Sequence, residues 1–253
     1  DKTPPSAPKV NTVTDRDTKV TGTTEASAKV IVKVGTKKIG EVIAGKTGIF
    51  SVKITAQRAG TVLQVNAIDN ANNTSATTKV TVQDKTPPSA PKVNTVTDRD
   101  TKVTGTTEAS AKVIVKVGTK KIGEVIAGKT GIFSVKITAQ RAGTVLQVNA
   151  IDNANNTSAT TKVTVQDKTP PSAPKVNTVT DRDTKVTGTT EANAKVMVKV
   201  GKKKLGEAKA GKNGKFVVKI KAQKAGTVLE VASTDTKGNT SKATTVKVQK
   251  SKK

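Results

Sequence analysis

The side chains best placed to do chemistry in this 253-residue chain are aspartates that recur at fixed positions. Asp15 and Asp17 flank Arg16, Asp98 and Asp100 flank Arg99, Asp84 and Asp167 each open a Lys-Thr-Pro-Pro segment, and Asp152 and Asp235 each lead a short polar loop. A hard divalent cation such as calcium takes about six to eight oxygen ligands, which carboxylates, amides and backbone carbonyls supply. Two candidate ligand sets follow: Asp15, Asp17, Asp84 and Asp152, and then Asp98, Asp100, Asp167 and Asp235. The competing reading makes these acids turn residues that hydrogen-bond their own loops, with Arg16 neutralising its two neighbours without a metal. Enzymatic activity is not expected. General acid–base work usually needs a positioned His or a pair of perturbed carboxylates in a pocket, whereas this chain has no His and its acids fall in turn segments. The lack of Cys removes thiolate nucleophiles and disulfides as well.

What positions these residues is a repeat. Asp-Lys-Thr-Pro-Pro-Ser-Ala-Pro opens the chain at Asp1 and returns at Asp84 and Asp167, 83 residues apart. Three domains are expected, at 1–83, 84–166 and 167–253. The first two are identical, which points to recent duplication or to design, and the third departs from Asn193 onward. So long a period exceeds the roughly 20 to 50 residues of solenoid units, so each repeat is expected to hold its own core. That core must be lean: Phe50, Phe133 and Phe216 are the only aromatic residues, and Val, Ile, Leu and Ala must do the rest. The proline-rich opening of each copy reads as a stiff, extended spacer, because proline fixes φ and removes a backbone donor.

Within a copy, apolar and polar residues alternate in short runs broken by turn residues, the pattern of half-buried strands in an all-β sandwich. In the first copy the runs are Lys9 to Val13, Lys19 to Thr24, Ala28 to Val34, Lys38 to Ile43, Ile49 to Ile54, Thr61 to Ile68 and Lys79 to Val82. Ala28, Val30, Val32 and Val34 share one face, with Ile31 the apolar exception on the other; Phe50, Val52 and Ile54 point inward, as do Leu63, Val65 and Ala67. Seven strands suit an immunoglobulin-like sandwich.

Several segments together carry a family resemblance. Asp-Lys-Thr-Pro-Pro-Ser-Ala-Pro, Val20-Thr21-Gly22-Thr23-Thr24-Glu25, Ala59-Gly60-Thr61 and the stretch from Asp69 through Asn73-Thr74-Ser75 resemble the bacterial immunoglobulin-like repeats found in tandem in surface adhesins and biofilm-associated proteins. Thr234 to Ser241 matches the family's last-loop pattern best; the other copies have Asn72 and Asn155 where it has Gly238, and an Asn there is expected to adopt the left-handed conformation. The resemblance implies three seven-stranded sandwiches in an extended array, serving as an extracellular, secreted or cell-surface stalk. It also implies how the acids would meet, since the first turn of one repeat would lie beside the outgoing linker and the last loop of the next. Related stalks use calcium there. The chain is expected to be a segment of a longer protein whose export signal lies upstream, with the third repeat as a C-terminal cap.

Charge is the loudest compositional signal. Of the net +26, +6 falls in each of the first two repeats and +14 in residues 167–253. Lys202, Lys203, Lys204, Lys212, Lys215, Lys250, Lys252 and Lys253 are the candidate polyanion-binding residues. A basic field attracts polyanions through counterion release. With no aromatic platform and no arginine cluster, any nucleic-acid contact is expected to be non-specific, and anionic cell-wall polymer or extracellular DNA would satisfy the charge equally. No apolar run approaches the roughly 18 residues of a membrane span. The expected role is therefore a monomeric rod, a stalk retained at its basic end on anionic wall or matrix. The alternative is an adhesin binding module that recognises a host or glycan ligand through multivalent repeats.

Overall fold

The computed structural model describes residues 2–252. Contacts divide the chain into two compact units, one of Asp1–Val93, Thr104–Val135 and Gln147–Lys162, the other of Asn94–Val103, Lys136–Leu146 and Val163–Lys253. The first contains the first repeat whole, and the second contains the third.

The first repeat folds as seven strands: β1 (Lys9–Val10), β2 (Lys19–Thr23), β3 (Lys29–Val34), β4 (Lys37–Ile43), β5 (Ile49–Lys53), β6 (Val62–Ile68) and β7 (Thr78–Thr81). They form two antiparallel sheets, ordered β1-β2-β5 and β4-β3-β6-β7. The second repeat has the matching strands β8 (Lys92–Val93), β9 (Lys102–Thr106), β10 (Lys112–Val117), β11 (Lys120–Ile126), β12 (Ile132–Lys136), β13 (Val145–Ile151) and β14 (Thr161–Thr164), with the same two sheet orders. In the third they are β15 (Lys175–Val176), β16 (Lys185–Thr189), β17 (Lys195–Val200), β18 (Lys203–Lys209), β19 (Lys215–Lys219), β20 (Val228–Thr234) and β21 (Thr244–Lys247), ordered β15-β16-β19 and β18-β17-β20-β21.

Alternation explains the core. In the first repeat Val20, Val30, Val32, Phe50, Val52, Leu63 and Val65 are buried between the sheets, while the intervening lysines face water. Val34, expected inward, is only partly buried. The β3–β4 register slips between Val32 and Lys33, so Ile39 has no partner across the ladder, and Val34 and Ile39 pack, partly buried, against the margin of the core. Gly22 pairs directly with Phe50, and the bare glycine leaves room for the ring of the repeat's only aromatic. Asn72 and Asn155 do adopt positive φ, at 67° and 66°, as Gly238 does at 89°.

The proline segment is not a free spacer. Pro5 and Pro8 are buried, as are Pro88 and Pro91, and Pro171 and Pro174. The Thr78 hydroxyl donates to the Pro8 carbonyl at 2.6 Å, and Thr161 repeats this bond to Pro91. Each segment thus docks on its own repeat as the first edge of the sandwich. Only the few residues around Asp84 and Asp167 remain as linker.

The divergent third repeat shows what its siblings lack. The buried Thr24 and Thr107 hydroxyls have no hydrogen-bond partner. In the third repeat Ser233 stands where Ala67 and Ala150 stand, and Thr190 Oγ1 donates to Ser233 Oγ at 2.8 Å, in contact with Ser241 Oγ at 3.4 Å. Leaving a buried hydroxyl unpaired costs about 1–3 kcal/mol. Ala67→Ser combined with Ala150→Ser is therefore expected to stabilise each of the first two repeats by about 1 kcal/mol in a denaturant titration. Unchanged midpoints would show that the hydroxyl finds another partner.

Candidate functional site

The residues singled out as metal ligands gather where one repeat hands over to the next. Leaving β7, the chain runs beside the segment from Val13 to Asp15 in a parallel bridge between Thr14 and Gln83. Gln83 N–H donates to Val13 O at 2.8 Å, and Asp15 N–H donates to Gln83 O at 2.9 Å. The Asp15 carboxylate then accepts the Lys85 N–H at 2.9 Å and the Thr86 hydroxyl. Asp15 therefore holds both Gln83, just beyond the end of β7, and the first residues of the linker.

From the following repeat, the loop after β13 meets the same linker. Asp152 folds this loop: Oδ1 accepts Ala154 N–H and Asn156 N–H, each at 2.8 Å, and Oδ2 accepts Asn156 Nδ2–H at 2.8 Å. Asn156 Nδ2 reaches on to the Asp84 carbonyl at 3.3 Å and to Asp84 Oδ1 at 3.2 Å. Asp84 Oδ1 also accepts Thr86 N–H at 3.0 Å. All of these contacts lie within the first unit. The loop of the first repeat has the same sequence, and there Asp69 likewise accepts Ala71 N–H and Asn73 N–H and the Asn73 amide.

The second unit contains the same arrangement. Asp98 Oδ1 accepts Lys168 N–H at 2.8 Å, and Asn239 Nδ2 contacts Asp235 Oδ2 at 2.8 Å, Asp167 O at 3.3 Å and Asp167 Oδ1 at 3.4 Å. After the third repeat, Asp181 Oδ1 accepts Ser251 N–H at 2.9 Å. Asp17 and Asp100 point away from the junctions: Asp17 Oδ2 accepts the Thr14 N–H and hydroxyl, and Asp100 Oδ2 accepts those of Thr97.

Ionisation follows from these donors. The Thr86 hydroxyl and the Lys85 N–H hold Asp15 below its ordinary value of 3.8, and Thr169 and Lys168 do the same for Asp98. Burial pushes Asp152 and Asp235 up, but the Asn side chains and backbone N–H groups outweigh it and both lie lowered. Arg16 is the smallest contributor at Asp15, so amide and hydroxyl donors do most of the neutralising that the sequence assigned to Arg16. No three His, Cys, Asp or Glu side chains among the described residues are arranged to hold a metal ion. The junction acids are taken up by N–H and O–H donors in this arrangement. The Asn156 and Asn239 contacts were missed in the sequence; the Asp-x-x-x-Asn spacing in all three copies was their signal.

Lys202, Lys203, Lys204, Lys212, Lys215, Lys250 and Lys252 are exposed; Lys253 lies outside the described residues. Lys204 is paired with Glu207 at 2.9 Å. No helix among the described residues is long and apolar enough to cross a membrane.

Two facing antiparallel sheets of seven strands, repeated three times, define immunoglobulin-like domains. Residues 4–84, 87–167 and 170–250 each match the bacterial Ig domain family, and the chain belongs to it. A cell wall-associated protease of Bacillus subtilis (strain 168) is 41% identical over 162 residues, which take in 63% of this chain and 18% of that protein. The chain therefore spans under a fifth of that relative's length. The I-band fragment I67-I69 from titin superposes with a TM-score of 0.56 at 11% identity, covering 98% of this chain and 97% of that one, a likeness of fold alone. A biofilm-associated protein BSP domain is similar at 12% identity over 99% of this chain and 67% of its own, with a TM-score of 0.34, too low to argue from.

Proposed function

We propose that this chain is a non-catalytic spacer of a secreted or cell-surface bacterial protein: a monomeric rod of sandwiches set end to end that extends and presents what it is joined to. The observation that carries this reading is the junction, where Asp15 holds the outgoing linker and Asn156 ties it to the next repeat, with Asp98 and Asn239 doing the same at the following handover. Hydrogen bonding on both sides of so short a linker restricts the swing of one domain against the next. The cell wall-associated relative supports a location outside the cell. That relative is named a protease, but the matched stretch is 18% of it, so proteolysis need not reside in these repeats. The basic third repeat retains the chain on anionic wall polymer or matrix, including extracellular DNA.

Small-angle scattering tests the spacer. Strands of about six residues span roughly 20 Å, so each domain with its loops is about 40 Å long, and the array is expected to reach on the order of 100 to 120 Å. A compact particle would contradict the reading. Calcium is a separate proposal for the same junctions, and it requires Asp15, Asp84 and Asp152 to exchange N–H and O–H donors for a cation. Addition of calcium and then a chelator, followed by melting temperature, decides it: an unchanged value removes calcium from the account.

A further inference from the structure

Comparing the repeats shows where part of the extra charge of the third one lies. In the first repeat Ile43 is 68% exposed and Ile49 62% exposed; in the second, Ile126 and Ile132 are 69% and 62% exposed. The third repeat has Lys209 and Lys215 at these places, and Lys202 where the others have Thr36 and Thr119. All three changes fall on one feature of the fold. β18 is the edge of the four-stranded sheet, β19 is the edge of the three-stranded sheet, the turn from Ala210 to Gly214 joins them, and the two strands lie in contact.

This double edge forms a strip as long as β18, roughly 20 Å. Lys202 and Lys203 stand at one end, and Lys209, Lys212 and Lys215 stand around the turn at the other. The backbone of Lys219 lies against Gly206 in between. Glu207 is already held by Lys195 and Lys204, each at 2.9 Å, while the six lysines of the strip form no ion pair among the described residues. Exposed ammonium groups free of counter-charge are what a polyanion displaces its own counterions to reach.

We propose that the β18–β19 edge of the third repeat is the polyanion-binding surface, and that its ligand is a linear phosphodiester polymer without bases, of the poly(glycerol phosphate) kind. This rests on the retention reading above and gives it an address. The lack of bases follows from the side chains: Lys is a point charge, the repeat's one aromatic, Phe216, is 2% exposed, and Arg182 is its only arginine. Nothing on the strip can stack on a base or grip it with a planar fork.

The repeats supply the test variants. Lys202→Thr, Lys209→Ile and Lys215→Ile in the full chain restore residues that the first repeat carries at these positions. Lys237→Ala, Lys242→Ala and Lys247→Thr do the same elsewhere in the third repeat and remove the same charge. Binding to poly(glycerol phosphate) is measured over a salt series, with melting curves confirming that both variants fold. The edge variant is expected to bind about tenfold or more weaker, with a log–log salt slope lower by about two to three, and the control to stay near wild type. Equal losses in both would overturn the edge assignment while leaving retention by net charge intact. Tighter binding to single-stranded DNA of equal phosphate number would overturn the base-free ligand, and no binding by the wild type would sink the retention reading along with it.

Discussion

Phe50→Ala is expected to bring the first repeat close to unfolding while the second and third stay folded. Emptying a buried phenylalanine site costs about 3–5 kcal/mol, a large share of the roughly 5–15 kcal/mol that holds a domain together. The loss is hard to absorb here because Phe50 is 2% exposed, is the repeat's only aromatic, and packs among Val and Leu side chains too short to fill the space. Denaturant unfolding of the full chain should then show an early transition with one repeat's share of the signal. A single transition at the wild-type midpoint would mean that the ring is not central to the core.

Gly22→Ala attacks the same contact from the opposite strand. A Cβ at Gly22 would collide with the Lys9 carbonyl oxygen and stand 2.7 Å from Phe50 Cζ. Backbone is the obstacle, so β1 must leave β2 or the ring must leave its rotamer. Overpacking of this kind costs about 1–3 kcal/mol and occasionally more. Gly45→Ala is the control, since its new Cβ would meet only the Ile49 carbonyl oxygen at an ordinary 3.6 Å, and it is expected to change stability by less than about 0.5 kcal/mol. Equal effects of the two changes would show that the collision does not set the cost.

The sandwich was largely legible because period-two alternation reports directly on which residues face a core. The runs around Lys19, Ala28, Ile49 and Thr61 give β2, β3, β5 and β6 to within a residue or two. The first run fared worse. Its pairing with β2 stops at Val10, and Val13 to Asp15 turns to lie parallel beside Gln83, a contact about 70 residues away that no local pattern reports. The proline segment was read as a spacer because proline fixes φ and removes a backbone donor, a local property that does not report the burial of Pro5, Pro88 and Pro171.

At the junction the sequence found the acids but not their partners. Asp15, Asp84 and Asp152 attract notice as charges, whereas what they meet is backbone N–H, the Thr86 hydroxyl and the Asn156 amide, groups found everywhere in a sequence. Asp17 was grouped with Asp15 by proximity, yet it turns back on Thr14 to close its own loop. The lysine run at 202–204 was likewise taken as a unit, and only the structure separates Lys204, held by Glu207, from its two neighbours.

A spacer requires each junction to restrict the swing of one repeat against the next. Because the chain contains no cysteine, Lys46→Cys and Lys129→Cys place a dye pair at matching, exposed positions of the first and second repeats, both within the first unit. Single-molecule energy transfer should give one narrow distance population, which broadens when Asp15→Ala and Asn156→Ala remove both sides of the clamp. A broad distribution in the unaltered junction, or a narrow one that survives the double change, would contradict the account.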